Sequence, residues 1–312
     1  MELLEKMLCL FPYFHGHQGR CTMTEEHNLR EINWVEKSEA LESFLKHETT
    51  FQVVPLDSGL EAEVAKIVTS TADYVLKVWN KASKPDVQMQ YQILNALSSH
   101  GRAVTKPLGW GTDRDGNPAM LTSYDGMPVQ KVDQPRLVRL AKMLMEIHDL
   151  PLDSLNGFEL PSYDFISYFY PRIEEFPDIK HPLMELVMRA NMKQECVIHG
   201  DYHLGNILES ENELTVIDWT NVQMGDPRYD IAWSIILMWI YVSEMRAAFY
   251  RAAFCAEIEF EADELELFEA IACLRWILLS RVDHPPVRKG TIARVRSILN
   301  SNKYLHPMLL EV

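Results

Sequence analysis

Between Val197 and Trp219 two short apolar runs each end in a polar cluster. The first is Val197-Ile-His199-Gly-Asp201-Tyr-His203-Leu-Gly-Asn206-Ile-Leu208, and the second, after a brief gap, is Leu214-Thr-Val-Ile217-Asp218-Trp219. Runs of this length and character read as strands, and strand ends are where a rigid scaffold offers polar groups to a cleft. One carboxylate, Asp201, can then orient a hydroxyl, while the amide oxygen of Asn206 and the carboxylate of Asp218 hold magnesium. Phosphoryl transfer needs this division of labour, because positioning and charge neutralisation supply most of its rate. Hard oxygen donors suit magnesium, which keeps several waters and bridges to phosphates.

The rest of the chain is organised around that block. From Phe51 three β-rich runs follow one another, Phe51-Gln-Val-Val-Pro-Leu, Ala62-Glu-Val-Ala-Lys-Ile-Val and Tyr74-Val-Leu-Lys-Val-Trp. The turn residues Asp57-Ser58-Gly59 and Ser70-Thr-Ala-Asp73 separate them, which predicts an antiparallel sheet. Val87, Tyr91, Leu94 and Leu97 are spaced for one face of a helix over 86–99. Two more strands, 110–112 and 119–124, flank the turn cluster Asp113-Arg-Asp-Gly-Asn117. Beyond Asp125-Gly126 the pattern is mostly helical: Leu137, Leu140, Ala141, Leu144 and Ile147 mark one amphipathic helix, and 263–282 is another. The expected fold class is α+β, a small antiparallel β-sheet lobe joined by a short hinge at 123–126 to a larger, mainly helical lobe. Residues 1–48 read as an extension of unclear role with one or two weakly specified helices.

A chain of 312 residues exceeds what one core usually supports, and 47% hydrophobic residues can fill two. The net charge of -15 repels nucleic acid and anionic membrane, so neither is an expected partner. Five cysteines, Cys9, Cys21, Cys196, Cys255 and Cys273, form no C-x-x-C pair, which fits reduced thiols in a cytoplasm. Glu2 and Glu5 beside an apolar stretch at 7–14 argue against a signal peptide, and the apolar run at 231–242 is too short to span a bilayer. No feature encodes an oligomeric state.

His199-Gly-Asp201-x-His203-x-x-Asn206, Val-Ile-Asp218-Trp and Gly225-Asp226-Pro227-x-x-Asp230 together resemble the aminoglycoside phosphotransferase and choline kinase superfamily, over residues 51–291. The resemblance implies a two-lobed, protein-kinase-like fold that uses ATP and Mg2+, with 49–125 as a nucleotide-binding lobe and 126–312 as a catalytic and substrate-binding helical lobe. It implies that Asp201 is the catalytic base, that Asn206 and Asp218 are metal ligands, and that Asp230 braces the catalytic loop with His199 in structural support. Lys77 resembles the lysine that contacts the α- and β-phosphates, Ser58 and Gly59 the phosphate loop, and the stretch from Leu121 through Ser123 the hinge that meets adenine. Gln90 stands where the family usually has a glutamate paired with that lysine, and an amide can hydrogen-bond Lys77 without neutralising it. His199, His203 and His148 read as structural histidines.

Only a short gap separates Asp218 from Asp226, which leaves no room for a polypeptide platform, so the acceptor is expected to be a small molecule. Residues 255–269 hold seven carboxylates and no base. They can bind the amines of a cationic acceptor or form a solvated helix start favoured by the macrodipole. Trp233, Trp239, Tyr241 and Trp276 can line an aromatic pocket for a cation or pack the core. The expected function is phosphorylation of an aminoglycoside-type, cationic acceptor. The alternatives are a metabolic kinase for choline, a sugar or an amino alcohol, and a catalytically silent nucleotide-binding protein, the last raised by Gln90.

Overall fold

Cross-strand pairing sorts the small lobe into two faces, and that sorting decides what reaches the cleft. The structure is a computed structural model that describes residues 29–47, 50–56, 62–83, 85–155, 157–283 and 285–310. The small lobe comprises β1 (Asn33–Lys37), α1 (Glu39–His47), β2 (Gln52–Pro55), β3 (Ala62–Val68), β4 (Asp73–Trp79), α2 (Val87–Ser99), β5 (Pro107–Thr112) and β6 (Pro118–Ser123). Its six strands form one antiparallel sheet in the order β1-β5-β6-β4-β3-β2. Ala65 pairs with Leu76, Leu76 with Leu121 and Val78 with Ala119. These residues face a small core that Ile67, Leu29, Leu41 and Phe44 complete. The opposite face carries Val64, Lys77 and Met120 in one row, because side chains along a strand alternate. Met120 and Trp79 on that face share a core with α2, whose start is capped by Asp86 accepting from the Met89 amide at 2.8 Å.

Part of the stretch expected to be a weakly helical extension is built into this sheet. β1 pairs with β5, and Trp110 Nε1 donates to Glu36 at 3.1 Å. The approach is close enough to require glycine on β5: a Cβ at Gly111 would lie 2.2 Å from the Asn33 carbonyl oxygen, and one at Gly109 would lie 2.5 Å from a Leu41 methyl. The expected helix is present as α1, whereas β1 was not anticipated: the close approach that seats it is visible in two glycines some seventy residues downstream rather than in its own sequence.

The large lobe comprises β7 (Met127–Pro128), α3 (Gln134–His148), α4 (Phe165–Phe169), α5 (Pro177–Ala190), β8 (Cys196–Ile198), β9 (Ile207–Ser210), β10 (Glu213–Val216), β11 (Gln223–Gly225), α6 (Pro227–Tyr241), α7 (Glu244–Cys255), α8 (Glu264–Val282) and α9 (Thr291–Ser301). The five apolar positions read from the periodicity of α3 are all buried. α6 and α8 are buried on nearly every side, as helices apolar all round must be, and they form the centre of the lobe. Among the described residues no helix is long and apolar enough to cross a membrane. Besides the hinge, a second joint links the lobes: after α2 the Thr105 amide donates to the Val216 carbonyl at 3.1 Å, and the Val216 amide to the Ala103 carbonyl at 2.8 Å. Val216 ends β10, two residues before Asp218.

Gly111→Ala is expected to cost about 2 kcal/mol, the usual scale of overpacking against backbone that cannot give way, seen as a lower Tm. An unchanged Tm would show that β1 does not dock on β5 as described.

Candidate active site

β8 delivers its last residues into a loop that α6 holds from below. Asp230 of α6 has no solvent exposure, yet its carboxylate accepts three bonds: from the His199 amide at 2.8 Å, the Gly200 amide at 3.0 Å and His148 Nε2 at 3.1 Å. A buried carboxylate is tolerable only with such partners. Gly200 adopts φ +76, and a Cβ there would lie 2.7 Å from the Asn221 carbonyl oxygen, so glycine is the residue that fits. His199 donates through Nε2 to the Ile217 carbonyl at 3.1 Å and accepts the Asp201 amide on Nδ1 at 3.3 Å, and burial pushes its pKa down. One neutral histidine thus ties the loop to the strand that leads to Asp218.

Asp201 lies at the loop's tip with a side chain 18% exposed. Its Oδ1 accepts Trp233 Nε1–H at 2.9 Å, and its Oδ2 lies 3.3 Å from His203 Nε2. His203 Nδ1 accepts the Gly205 amide at 3.0 Å, which assigns the ring proton to Nε2, facing Asp201. Burial alone would raise the Asp201 pKa; His203, Arg275 and the Trp233 hydrogen bond outweigh it and hold the carboxyl far below the usual range. Asn206 donates its amide nitrogen to the Asp201 carbonyl at 3.0 Å, which leaves its amide oxygen as the end available to a ligand.

Asp218 sits beyond β10 in the left-handed region, φ +66, a conformation that costs a residue with a Cβ roughly 1–2 kcal/mol and collects at functional sites. Its side chain is 45% exposed, receives a bond from Thr220 Oγ1 at 2.9 Å, and faces Lys77 Nζ of the small lobe at 3.8 Å. That ammonium holds the Asp218 carboxyl below its ordinary pKa. Asn206 and Asp218 are joined through the Ile217 amide, which donates to the Asn206 carbonyl at 2.9 Å. Among the described residues no cluster of three or more His, Cys, Asp or Glu side chains is set to hold a metal. One carboxylate, one amide oxygen and the phosphates of a nucleotide are a donor set that suits magnesium.

Other anticipated positions fall differently. Gln90 is buried on α2 and makes no hydrogen bond to Lys77 among the described residues; α2 carries no carboxylate, so the Lys77 ammonium turns to Asp218 instead. Leu121 faces the small core, and its backbone is enclosed between β4 and β5, so it does not line the cleft. The Ser123 amide donates to the Lys106 carbonyl at 2.9 Å and the Tyr124 amide to the Asp73 carbonyl at 3.2 Å. The Ser123 hydroxyl donates to Asp125 at 2.8 Å. Ser58 and Gly59 lie outside the described residues.

The acidic stretch 255–269 belongs elsewhere in the lobe. Glu257 pairs with Lys142 at 3.6 Å, Glu264 with Arg228, Glu269 with Arg251 at 2.8 Å, and Asp263 and Glu266 with Lys303. Arg275 is the α8 residue that reaches the loop carrying Asp201, donating to the Gly200 carbonyl at 3.1 Å. It lies about three helical turns, roughly 16 Å, from Glu264. These five carboxylates are held by bases of the large lobe, and none is paired with a group that contacts Asp201.

Trp233 and Arg275 are contacts of the site that the sequence reading did not single out as such. Trp233 stands one turn after Asp230 on α6, a spacing that puts both on one helix face, and that spacing was the available signal. Trp276 and Tyr241, offered as aromatic pocket residues, are buried and bond to each other, Nε1 to Oη at 3.0 Å.

The comparisons agree with this geometry. A family model described as the phosphotransferase enzyme family matches residues 52–268. No curated protein matches the chain. Among solved structures, a thermostable mutant of aminoglycoside phosphotransferase APH(4)-Ia is similar at 17% identity, covering 84% of this chain and 99% of its own, with a TM-score of 0.62. The amicoumacin kinase hAmiN is similar at 15% identity, 91% and 98% coverage and a TM-score of 0.60. Choline kinase LicA from Streptococcus pneumoniae follows at 15% identity, 83% and 95% coverage and a TM-score of 0.58. At these identities the likeness speaks for the protein-kinase-like fold, and the family match spans well over half of the chain. The chain belongs to the phosphotransferase enzyme family.

Proposed function

We propose that this protein transfers the γ-phosphoryl group of ATP to a hydroxyl of a small acceptor. The observation that carries the reading is Lys77 of the small lobe facing Asp218 of the large lobe at 3.8 Å, with Asn206 tied to Asp201 beside them. Lys77 binds the nucleotide's phosphates from above. Val64 and Val75, which the sheet register puts on the Lys77 face, cover the base. With the amides of Ser123 and Tyr124 committed to the sheet, the base's hydrogen bonds fall to the neighbouring hinge backbone. Magnesium, when held by Asn206 and Asp218, neutralises phosphate charge. Asp201 accepts the acceptor's hydroxyl proton in a hydrogen bond. Its depressed basicity fits a group that orients the hydroxyl first and takes the proton late, as a loose transition state allows.

Solved relatives support the cofactors and the kind of acceptor: one is a ternary complex with AMP-PNP and hygromycin B, another holds AMP-PNP, Ca2+ and Ami. An aminoglycoside-type acceptor and a metabolic one such as choline, a sugar or an amino alcohol use the same Asp201 geometry. The charge argument for a cation is narrowed to Glu259 and Glu261, since Glu257, Asp263, Glu264, Glu266 and Glu269 are engaged by Lys142, Lys303, Arg228 and Arg251. The catalytically silent reading loses its basis too, because Lys77 meets a carboxylate in Asp218. Cys196, Cys255 and Cys273 form no disulfide among the described residues.

Asp201→Ala should lower acceptor phosphorylation by about 10²–10⁴-fold, the range for loss of a general base, with ATP affinity changed only a few-fold. The measurement is turnover across hygromycin B, other aminoglycosides, choline and small sugars; near-normal rates in the variant would remove Asp201 from the mechanism. Asn206→Ala and Asp218→Ala should each raise the magnesium requirement or end activity. A magnesium titration that overlays the wild type in both variants would count against the metal site.

A further inference from the structure

The side-chain torsion that sets a carboxylate's plane is broad and roughly two-fold, so a carboxylate that must receive a hydroxyl from one direction needs fixed donors. Asp201 has two, and they come from different parts of the fold. His203 belongs to the catalytic loop itself and addresses Oδ2 at 3.3 Å. Trp233 comes from α6, has no solvent exposure, and donates its indole N–H to Oδ1 at 2.9 Å.

We propose that Trp233 is a positioning residue for phosphoryl transfer: its indole N–H fixes the plane of the Asp201 carboxylate so that the remaining lone pair of Oδ1 points at the acceptor hydroxyl. The proposal rests on the phosphotransferase reading of Asp201. The indole is itself pinned. The Arg275 guanidinium lies 4.1 Å over the Trp233 ring and 4.5 Å over Phe169, a cation held between two aromatic faces. The same guanidinium donates to the Gly200 carbonyl and to Tyr229 Oη, both at 3.1 Å, so it also grips the peptide that precedes Asp201. Asp230 and Trp233, one turn apart on α6, therefore divide the work. Asp230 holds the loop by its backbone amides, and Trp233 holds the carboxylate that the loop presents. A buried indole N–H usually finds an acceptor, but an acceptor elsewhere in the core would satisfy it equally well. Here the acceptor is the site's own carboxylate, at 18% exposure.

The test replaces the indole by a ring without the N–H. Hydrolysis of MgATP, with water as the stand-in acceptor, is measured for wild type, Trp233→Phe and Asp201→Ala, together with Tm. Trp233→Phe is expected to lower kcat about tenfold, with the KM for MgATP within twofold and the Tm within a few degrees; Asp201→Ala sets the floor. A Trp233→Phe enzyme as fast as wild type, over an inert Asp201→Ala, overturns the positioning role and leaves the phosphotransferase reading standing. An Asp201→Ala enzyme as fast as wild type overturns that reading instead. Should Trp233→Phe not fold, 15N-indole spectra of Asp201→Asn decide: displacement of one indole N–H resonance is expected, and a spectrum in which every indole resonance stays in place overturns the proposal.

Discussion

One carboxylate without solvent exposure anchors the loop that carries Asp201. Asp230 gathers two successive backbone amides and a histidine, and removing it would leave those donors in an apolar interior at a cost of about 1–3 kcal/mol each. Because its charge is satisfied by peptide groups, the loop's main chain is fixed to a core helix before any side chain of the site is considered. His199 then relays that fixation to the Asp218 strand through the Ile217 carbonyl. Two chain segments, neither regular for more than a few residues around the site, thereby acquire the rigidity of α6.

The two lobes meet in the cleft under a second constraint. The turn after α2 exchanges backbone hydrogen bonds with Val216, so the small lobe is joined to the strand end that carries Asp218. Lys77 and Asp218 consequently face one another across a boundary that is stitched nearby, and their separation does not depend on the hinge alone. With no carboxylate on α2, the ammonium has one acidic counterpart among the described residues, and it lies on the opposite lobe.

Much of this was legible in the sequence. The apolar spacing of α3 and the alternation of β3 and β4 fix burial by period alone, and the polar residues that end the runs before Asp201 and Asp218 mark strand ends. What escaped depends on partners distant along the chain. Glu264 and Glu269 look like solvated acids until Arg228 and Arg251 are folded against them. Trp233 sits in a helix apolar on every side, where an indole looks like filling, and only its single polar atom betrays another role. Gln90 was assigned from its place on a helix, but which atom Lys77 meets is set by the lobe across the cleft.

The docking of β1 separates two boundaries that are easily taken for one. The family match begins at residue 52, whereas the outermost strand on the β5 side of the sheet is residues 33–37. Without them, β5 would present an open row of amides and carbonyls, with Gly109 and Gly111 offering no side chain to deflect a stranger's strand. The matched segment and the sheet it belongs to are thus of different length, and the additional strand acts as a selvedge along the β5 side of the fabric.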